Sequence, residues 1–151
     1  MGNLVKKIFS KEDLAEIAKA IGEAEKTTSG EIRVSVRQRR QWRERKFGIE
    51  EIARREFQSL GMTKTRDRTG VLLFLLLQDR KFFILADEGI HTKVEDGTWA
   101  NIAADVSAHF SKNNFRHGIV HGVNAIGEVL SKFFPRKSDD SNELPDDVHV
   151  K

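Results

Sequence analysis

Within SKEDLAEIAKAIGEAEKTTSG, apolar residues recur at Leu14, Ile17, Ala18 and Ile21, the spacing of one helix face. Ser10 with Asp13 supplies a capping-box start, and Gly30 closes the segment. The period then changes. In EIRVSVRQ, Ile32, Val34 and Val36 alternate with Glu31, Arg33, Ser35 and Arg37, which predicts a strand with one face in solvent. RRQWRERK reads as a basic loop. Ile49, Ile52, Ala53, Phe57 and Leu60 then mark a second amphipathic helix, ended by Gly61.

The stretch VLLFLLL has no alternation, so both faces of that strand should be covered, which puts it at the centre of a sheet with helices above and below. QDRK is a tight polar break before FFILA, and two strands so close in sequence form an antiparallel hairpin. The helical connection from EIRVSV is long enough for a parallel crossover. Two further helices follow. One carries Trp99, Ile102, Ala103, Val106 and Phe110. The other carries Ile119, Val123, Ile126, Val129, Leu130 and Phe133, with Gly118, Gly122 and Gly127 as close-packing points and Pro135 as its stop. The expected organisation is an N-terminal extension over 1–9, a single domain over 10–134 and a flexible polar tail over 135–151.

Composition narrows the class. A chain of 151 residues, 38% hydrophobic and 32% charged, has the size and balance of one soluble domain with its own core. The absence of cysteine excludes disulfides and thiolate metal sites. No signal-peptide pattern opens the chain, Lys6 spoils a myristoylation signal, and the seven residues of VLLFLLL fall short of the about 20 of a membrane helix. The expectation is a cytoplasmic protein that does not span a membrane.

Charge is uneven. Between Arg33 and Arg68 there are twelve basic residues against five acids, whereas the last residues are acidic. An Arg-rich stretch is more often a solvated face than a phosphate-binding one. Nucleic-acid binding, with Trp42 as a stacking residue, is disfavoured because the same stretch carries acids that would blunt phosphate affinity.

The strand directions gather the starts of the first two strands and the end of the third on one edge. Glu31, Asp67, Asp87 and Glu88 fall there, and the next loop adds Glu95 and Asp96. Asp79 falls at the opposite edge, in the hairpin turn. Clustered carboxylates need a hard cation, Arg or Lys partners, or a raised pKa. Taken singly, Asp67 reads as a turn or salt-bridge residue beside Arg66 and Arg68, Asp96 as a helix cap, and Glu31 as an exposed strand residue. Taken together, Glu31, Asp67, Asp87, Glu88 and Asp96 are the candidate ligands of a calcium or magnesium ion.

The successive blocks SGEIRVSV, TGVLLFLLLQDRKFFILADEGI and VEDGTWANIAADVSAHFSKNNFRHGIVHGVNAIGEVL resemble the TPM domain family, over about Ser10 to Phe134. That family includes the thylakoid-lumen photosystem II repair protein with acid phosphatase activity. The resemblance implies an α/β/α sandwich around a small mixed sheet, and a negatively charged cavity able to hold calcium or magnesium. It carries Glu31 and Asp96 onto family positions. ADEGI departs from the more neutral family pattern by adding Asp87 and Glu88, and the chain looks like a stand-alone TPM domain.

The leading expectation is therefore a domain that binds a divalent cation, with an unknown protein partner left open. A weak metal-dependent phosphatase is the alternative, with Arg66 or Arg68 steadying the phosphate; no catalytic set is assigned. An interaction module using the Arg-rich segment is the third reading. His117 and His121 stand four apart, the spacing of paired zinc ligands, but without a third ligand nearby they read as the polar flank of a packed helix.

Overall fold

Strand β2 (Gly70–Leu76) is buried at every position, as its unbroken apolar run requires. Leu72, Phe74 and Leu76 face one side of the sheet and Val71, Leu73 and Leu75 the other, each set inside its own hydrophobic cluster. The computed structural model describes residues 3–65, 67–136 and 146–151. Its four strands lie in the order β3-β2-β1-β4. Strand β1 (Glu31–Arg37) runs parallel to β2, in a register that sets Glu31 beside Gly70. Strand β3 (Lys81–Ala86) is antiparallel to β2, and β4 (His149–Val150) is parallel to β1.

One face carries helices α1 (Leu4–Ile8), α2 (Lys11–Glu25), α5 (Asp96–Ser111) and α6 (Phe115–Phe133). They bury Ile17 and Ile21, Ile102 and Val106, and Ile119, Val123, Ile126 and Leu130 against β1 and β2. The other face carries α3 (Ile49–Ser59) with Ile52, Ala53 and Phe57. This is an α/β/α sandwich around a mixed sheet, with the parallel crossover and the hairpin where the hydrophobic pattern puts them. No helix among the described residues is long and apolar enough to cross a membrane.

Helix ends follow from local chemistry. Ser10 and Asp13 form the expected capping box on α2, each side chain bonded to the other's backbone N–H. Helix α6 crosses α5 and α2 closely enough that a Cβ on Gly122 would lie 2.9 Å from Val106 Cγ2, and one on Gly127 2.8 Å from Ala24 Cβ. At its end the Phe134 carbonyl accepts bonds from Ser29 N at 3.0 Å and Thr28 Oγ1.

Three features differ from the sequence reading. The alternate face of β1 is not in solvent: Glu31, Ser35 and Arg37 are all buried, and Glu56 of α3 lies over Ser35 and Arg37 and supplies their polar partner. The described part of the extension, residues 3–9, packs, since Asn3 caps α1 and both Val5 and Phe9 enter the main cluster. The end of the chain is not a free tail. His149 and Val150 add a strand alongside Ser35 and Val36, and Lys151 exchanges backbone bonds of 3.0 Å with Val36 O and Gln38 N. The part of the expected tail at 137–145 lies outside the described residues.

Candidate functional site

The starts of β1 and β2 and the end of β3 do share one edge. Asp87 N donates to Gly70 O at 2.9 Å, and Gly89 N to Arg68 O at 2.9 Å, so the 67–68 loop lies directly on the short helix α4 (Glu88–His91). Gly89 is required there: a Cβ would sit 2.4 Å from the Asp67 carbonyl oxygen. The chain thereby clamps Asp67, Arg68, Asp87 and Glu88 into one small region.

Within it, Asp87 is buried and fully engaged. Its carboxylate accepts from Arg68 Nε at 2.9 Å and Nη2 at 3.0 Å, and from the Glu88 backbone N–H at 2.7 Å, which also caps α4. This is a bidentate guanidinium pair, the strong form of such contacts. The hydrogen bond to Asp87 in turn raises the Arg68 pKa above its already high ordinary value. Arg68 holds a left-handed backbone, φ 56°, to make the contact. The Glu88 side chain is 82% exposed, 3.9 Å from Arg68 Nη1. Asp67 lines an adjoining cleft of about 390 Å³ together with Ser29, Thr69, Lys93 and Arg136.

The other two expected ligands have different surroundings. Asp96 opens α5, where a negative charge complements the helix N-terminus, and its 93% exposed side chain lies 3.7 Å from His91 Nδ1. Glu31 is only 3% exposed and lies within electrostatic reach of Glu25. Among the described residues, no group of three or more His, Cys, Asp or Glu side chains is arranged to hold a metal ion. The remedy the fold uses for Asp87 is a guanidinium. Arg66 lies outside the described residues. Asp79 sits at the far edge as expected, paired with Arg40. His117 and His121 have different partners: His121 Nε2 lies 3.5 Å from Asp105 Oδ2, and His117 Nε2 shares a hydrogen bond of 3.0 Å with Arg116 Nη2.

Two buried acids on helix stripes escaped the sequence reading. Glu25 is 6% exposed and follows Ile21 by four residues, on the apolar stripe of α2. Its Oε2 accepts from Ile32 N at 2.7 Å, standing in for a strand partner at the edge of β1. Burial first, and then a hydrogen bond shared with Asp146, push this carboxyl up to about 10 against the opposing effect of the Ile32 N–H. Burial thus favours the protonated form of Glu25. Glu56 interrupts the stripe of α3 in the same way. It accepts from Ser35 Oγ at 2.6 Å and Arg37 Nη2 at 3.0 Å, while Arg37 also reaches the buried Glu44. Burial alone would raise the Glu56 carboxyl, but the Ser35 and Arg37 bonds hold it below its ordinary value. An acid at an apolar position of an amphipathic helix was the available signal for both.

Comparison with known proteins agrees with this architecture. Residues 5–129 match the model of the TPM domain. The BA42 protein of the psychrophilic bacterium Bizionia argentinensis, solved by NMR, is 34% identical, covers 95% of each chain and superposes with a TM-score of 0.86. The N-terminal domain of a protein from P. gingivalis is 20% identical over 84% of this chain and 79% of that one, with a TM-score of 0.68. The N-terminal domain of the cg2496 protein from Corynebacterium glutamicum is 13% identical over 89% and 81%, with a TM-score of 0.63. These last two speak to the fold alone. A comparison with curated proteins finds no match. With the family model spanning most of its length and a close structural relative sharing a third of its residues, this chain belongs to the TPM domain family.

Proposed function

We propose that the chain is a TPM domain that binds a divalent cation at the β1–β2–β3 edge, where calcium or magnesium exchanges for the Arg68 guanidinium on Asp87. One observation carries this reading: among the described residues a buried aspartate is neutralised by one partly exposed arginine, with Asp67 and Glu88 brought beside it from separate segments. The donor type fits. Hard carboxylate oxygens suit both ions, and magnesium in particular keeps several waters and needs few protein ligands. The donor number does not amount to a preformed cage, so binding by exchange is the form consistent with the geometry. Asp96 and Glu31 fall outside the donor set in this reading.

The test is a titration of chelator-treated protein with calcium and with magnesium, followed by amide chemical shifts. Saturable shifts at Asp67, Arg68, Asp87 and Gly89 are expected, lost in Asp87→Asn. In Arg68→Gln the ion no longer competes with a cation, and affinity rises about tenfold, the equivalent of about 1.4 kcal/mol. Absence of saturable shifts in both the parent and Arg68→Gln at millimolar ion would sink the proposal.

A phosphoryl-transfer reading is favoured by the adjoining cleft alone. There Lys93 and Arg136 stand beside Asp67 and the hydroxyls of Ser29 and Thr69. Arg68 does not line this cleft, so in this reading Lys93 and Arg136 take the phosphate-steadying role first expected of Arg66 or Arg68. Hydrolysis of p-nitrophenyl phosphate that tracks ion loading and disappears in Asp67→Asn supports turnover. A rate indifferent to chelator and to that substitution sets it aside.

A further inference from the structure

Helices α5 and α6 are joined by only three residues, 112–114, and the His109 carbonyl accepts from both Lys112 N at 3.1 Å and Asn114 N at 3.0 Å. Asn113 completes the turn in a left-handed conformation, φ 60°. So short a connection makes the two helices antiparallel neighbours in a fixed register. Glycine sets their separation: a Cβ on Gly118 would lie 3.0 Å from His109 Cβ, and one on Gly122 2.9 Å from Val106 Cγ2.

This close approach sets three donors side by side. Asp105 and His109 stand four apart on α5 and share a face of it. His121 meets both from α6. Its ring centre is 5.3 Å from that of His109, and its Nε2 is 3.5 Å from Asp105 Oδ2. The spacing of four that links His121 to His117 in the sequence is thus replaced by an interhelical grouping. His117 bonds Arg116, which itself pairs with Asp13 and Glu16 of α2, so both stay outside the donor set. Among the described residues Asp105 has no arginine or lysine partner, unlike Asp87.

The spacings are those of groups sharing an ion. Two imidazoles on one tetrahedral zinc, with Zn–N of about 2.0–2.1 Å, keep their ring centres about 5 Å apart, and a nitrogen and a carboxylate oxygen on the same ion stand about 3.3 Å apart. A direct N–H···O bond closes to about 2.9 Å. Among the described residues the three donors do not yet enclose a common point. The Asp105 side chain is 64% exposed and that of His121 45%, so rotation about their own bonds, unhindered by packing, closes the set.

We infer that Asp105, His109 and His121 form a zinc site bridging α5 and α6, with water as the fourth ligand. Two imidazole nitrogens and one carboxylate oxygen make a zinc donor set, whereas calcium and magnesium take oxygen throughout. The site therefore differs in chemistry from the Asp87 edge and does not depend on it. An ion held by both helices staples the pair, and binding to the folded chain alone raises its stability.

The experiment is calorimetric titration of the chelator-treated full chain with zinc, with imidazole nitrogen shifts and thermal melts read in parallel. One zinc per chain is expected to bind at micromolar concentration, to move the His109 and His121 resonances while those of His91 and His149 stay in place, and to raise the melting temperature. Asp105→Asn and His121→Gln, both at exposed positions, should each weaken binding by at least the about 10- to 100-fold that loss of a ligand's supporting partner costs. His109→Gln should do the same, with its melt in the absence of zinc confirming the fold. His117→Ala should bind like the parent, and magnesium at millimolar concentration should not displace the zinc. The inference is overturned by absence of saturable binding up to about 100 μM zinc, a weaker affinity than any built three-ligand site should show. It is equally overturned by imidazole shifts centred on other histidines, by a His121→Gln variant that binds like the parent, or by a loss in His117→Ala as large as that in His121→Gln.

Discussion

Glu25 and Glu56 each interrupt an apolar helix stripe, and they govern opposite limbs of the pH–stability curve. Glu25 has a folded pKa of about 10 against an ordinary 4.5, so its contribution is complete below about 4.5 and is lost as pH rises toward 10. Glu56 is held below its ordinary value, so its contribution is present above about 4.5 and is lost as pH falls through the folded value. His149 joins that acid limb. Burial, with Arg33 and Lys151 nearby, lowers its pKa against the pull of Glu56, and protonation below the ordinary 6.5 works against the fold. Glu25→Gln keeps an acceptor for Ile32 N and a donor for Asp146 but cannot ionise. We expect it to flatten the alkaline limb and to stabilise the fold at pH 9 by about 1–3 kcal/mol, measured as thermal melts from pH 5 to 10. Arg37→Met is the converse case. It strands the Glu44 and Glu56 carboxylates in the core and should cost about 3–5 kcal/mol in urea unfolding, more than Glu56→Gln, which leaves the Arg37–Glu44 pair intact. Neither effect was legible from strand alternation, which reads Ser35 and Arg37 as solvent-facing. The period-two pattern reports which residues share a face and leaves open what covers that face.

At the scale of elements, the contact between α6 and its neighbours rests on absent side chains. Replacing Gly127 with Ala gains about 1 kcal/mol of intrinsic helix propensity. It also places a methyl 2.8 Å from Ala24 Cβ, which has no rotamer through which to yield, so α2 and α6 must part. Overpacking of that kind costs about 1–3 kcal/mol, and the substitution should be net destabilising. Gly97, in the first turn of α5, has nothing within 4 Å of a built Cβ, so Gly97→Ala should stabilise by about 0.5–1 kcal/mol. Equilibrium urea unfolding of the two variants separates crowding from propensity. Helix periodicity anticipated these crossings, since Gly118, Gly122 and Gly127 fall along the face that carries Ile119, Val123 and Ile126. The carboxylate edge was legible in the same partial way. Strand direction brings Asp67, Asp87 and Glu88 together, but only the backbone conformation of Arg68 decides that a guanidinium meets Asp87.

Across the whole molecule, the sandwich follows from periodicity, one parallel crossover and one hairpin, whereas the closure of the β1 edge does not, because it depends on residues far apart in an otherwise polar sequence. Gln38, just past β1, is the junction. Its side chain accepts from Leu4 N at 2.6 Å, its backbone N–H donates to Lys151 O at 3.0 Å, and its carbonyl accepts from Gln78 N at 2.9 Å. The α1 segment, the hairpin and β4 are thus fastened to one residue. A polar stretch without hydrophobic periodicity reads as a tail, yet two residues of strand pairing plus the contact between Asp146 and Glu25 are enough to dock its end. Removing residues 146–151 therefore tests three consequences at once. Amides at the β1 edge, Gln38 above all, should lose hydrogen-exchange protection while those of β2, buried on both faces, keep theirs. The melting temperature should fall by several degrees at pH 7, corresponding to about 1–3 kcal/mol for the lost backbone bonds and cover over Glu56. The alkaline limb should also shift. Without Asp146 the Glu25 carboxyl gains solvent and loses a neighbour that opposes its ionisation, so its folded pKa drops and stability declines less between pH 7 and 10. Unchanged protection at Gln38 would mean that β4 lies on the sheet without holding it.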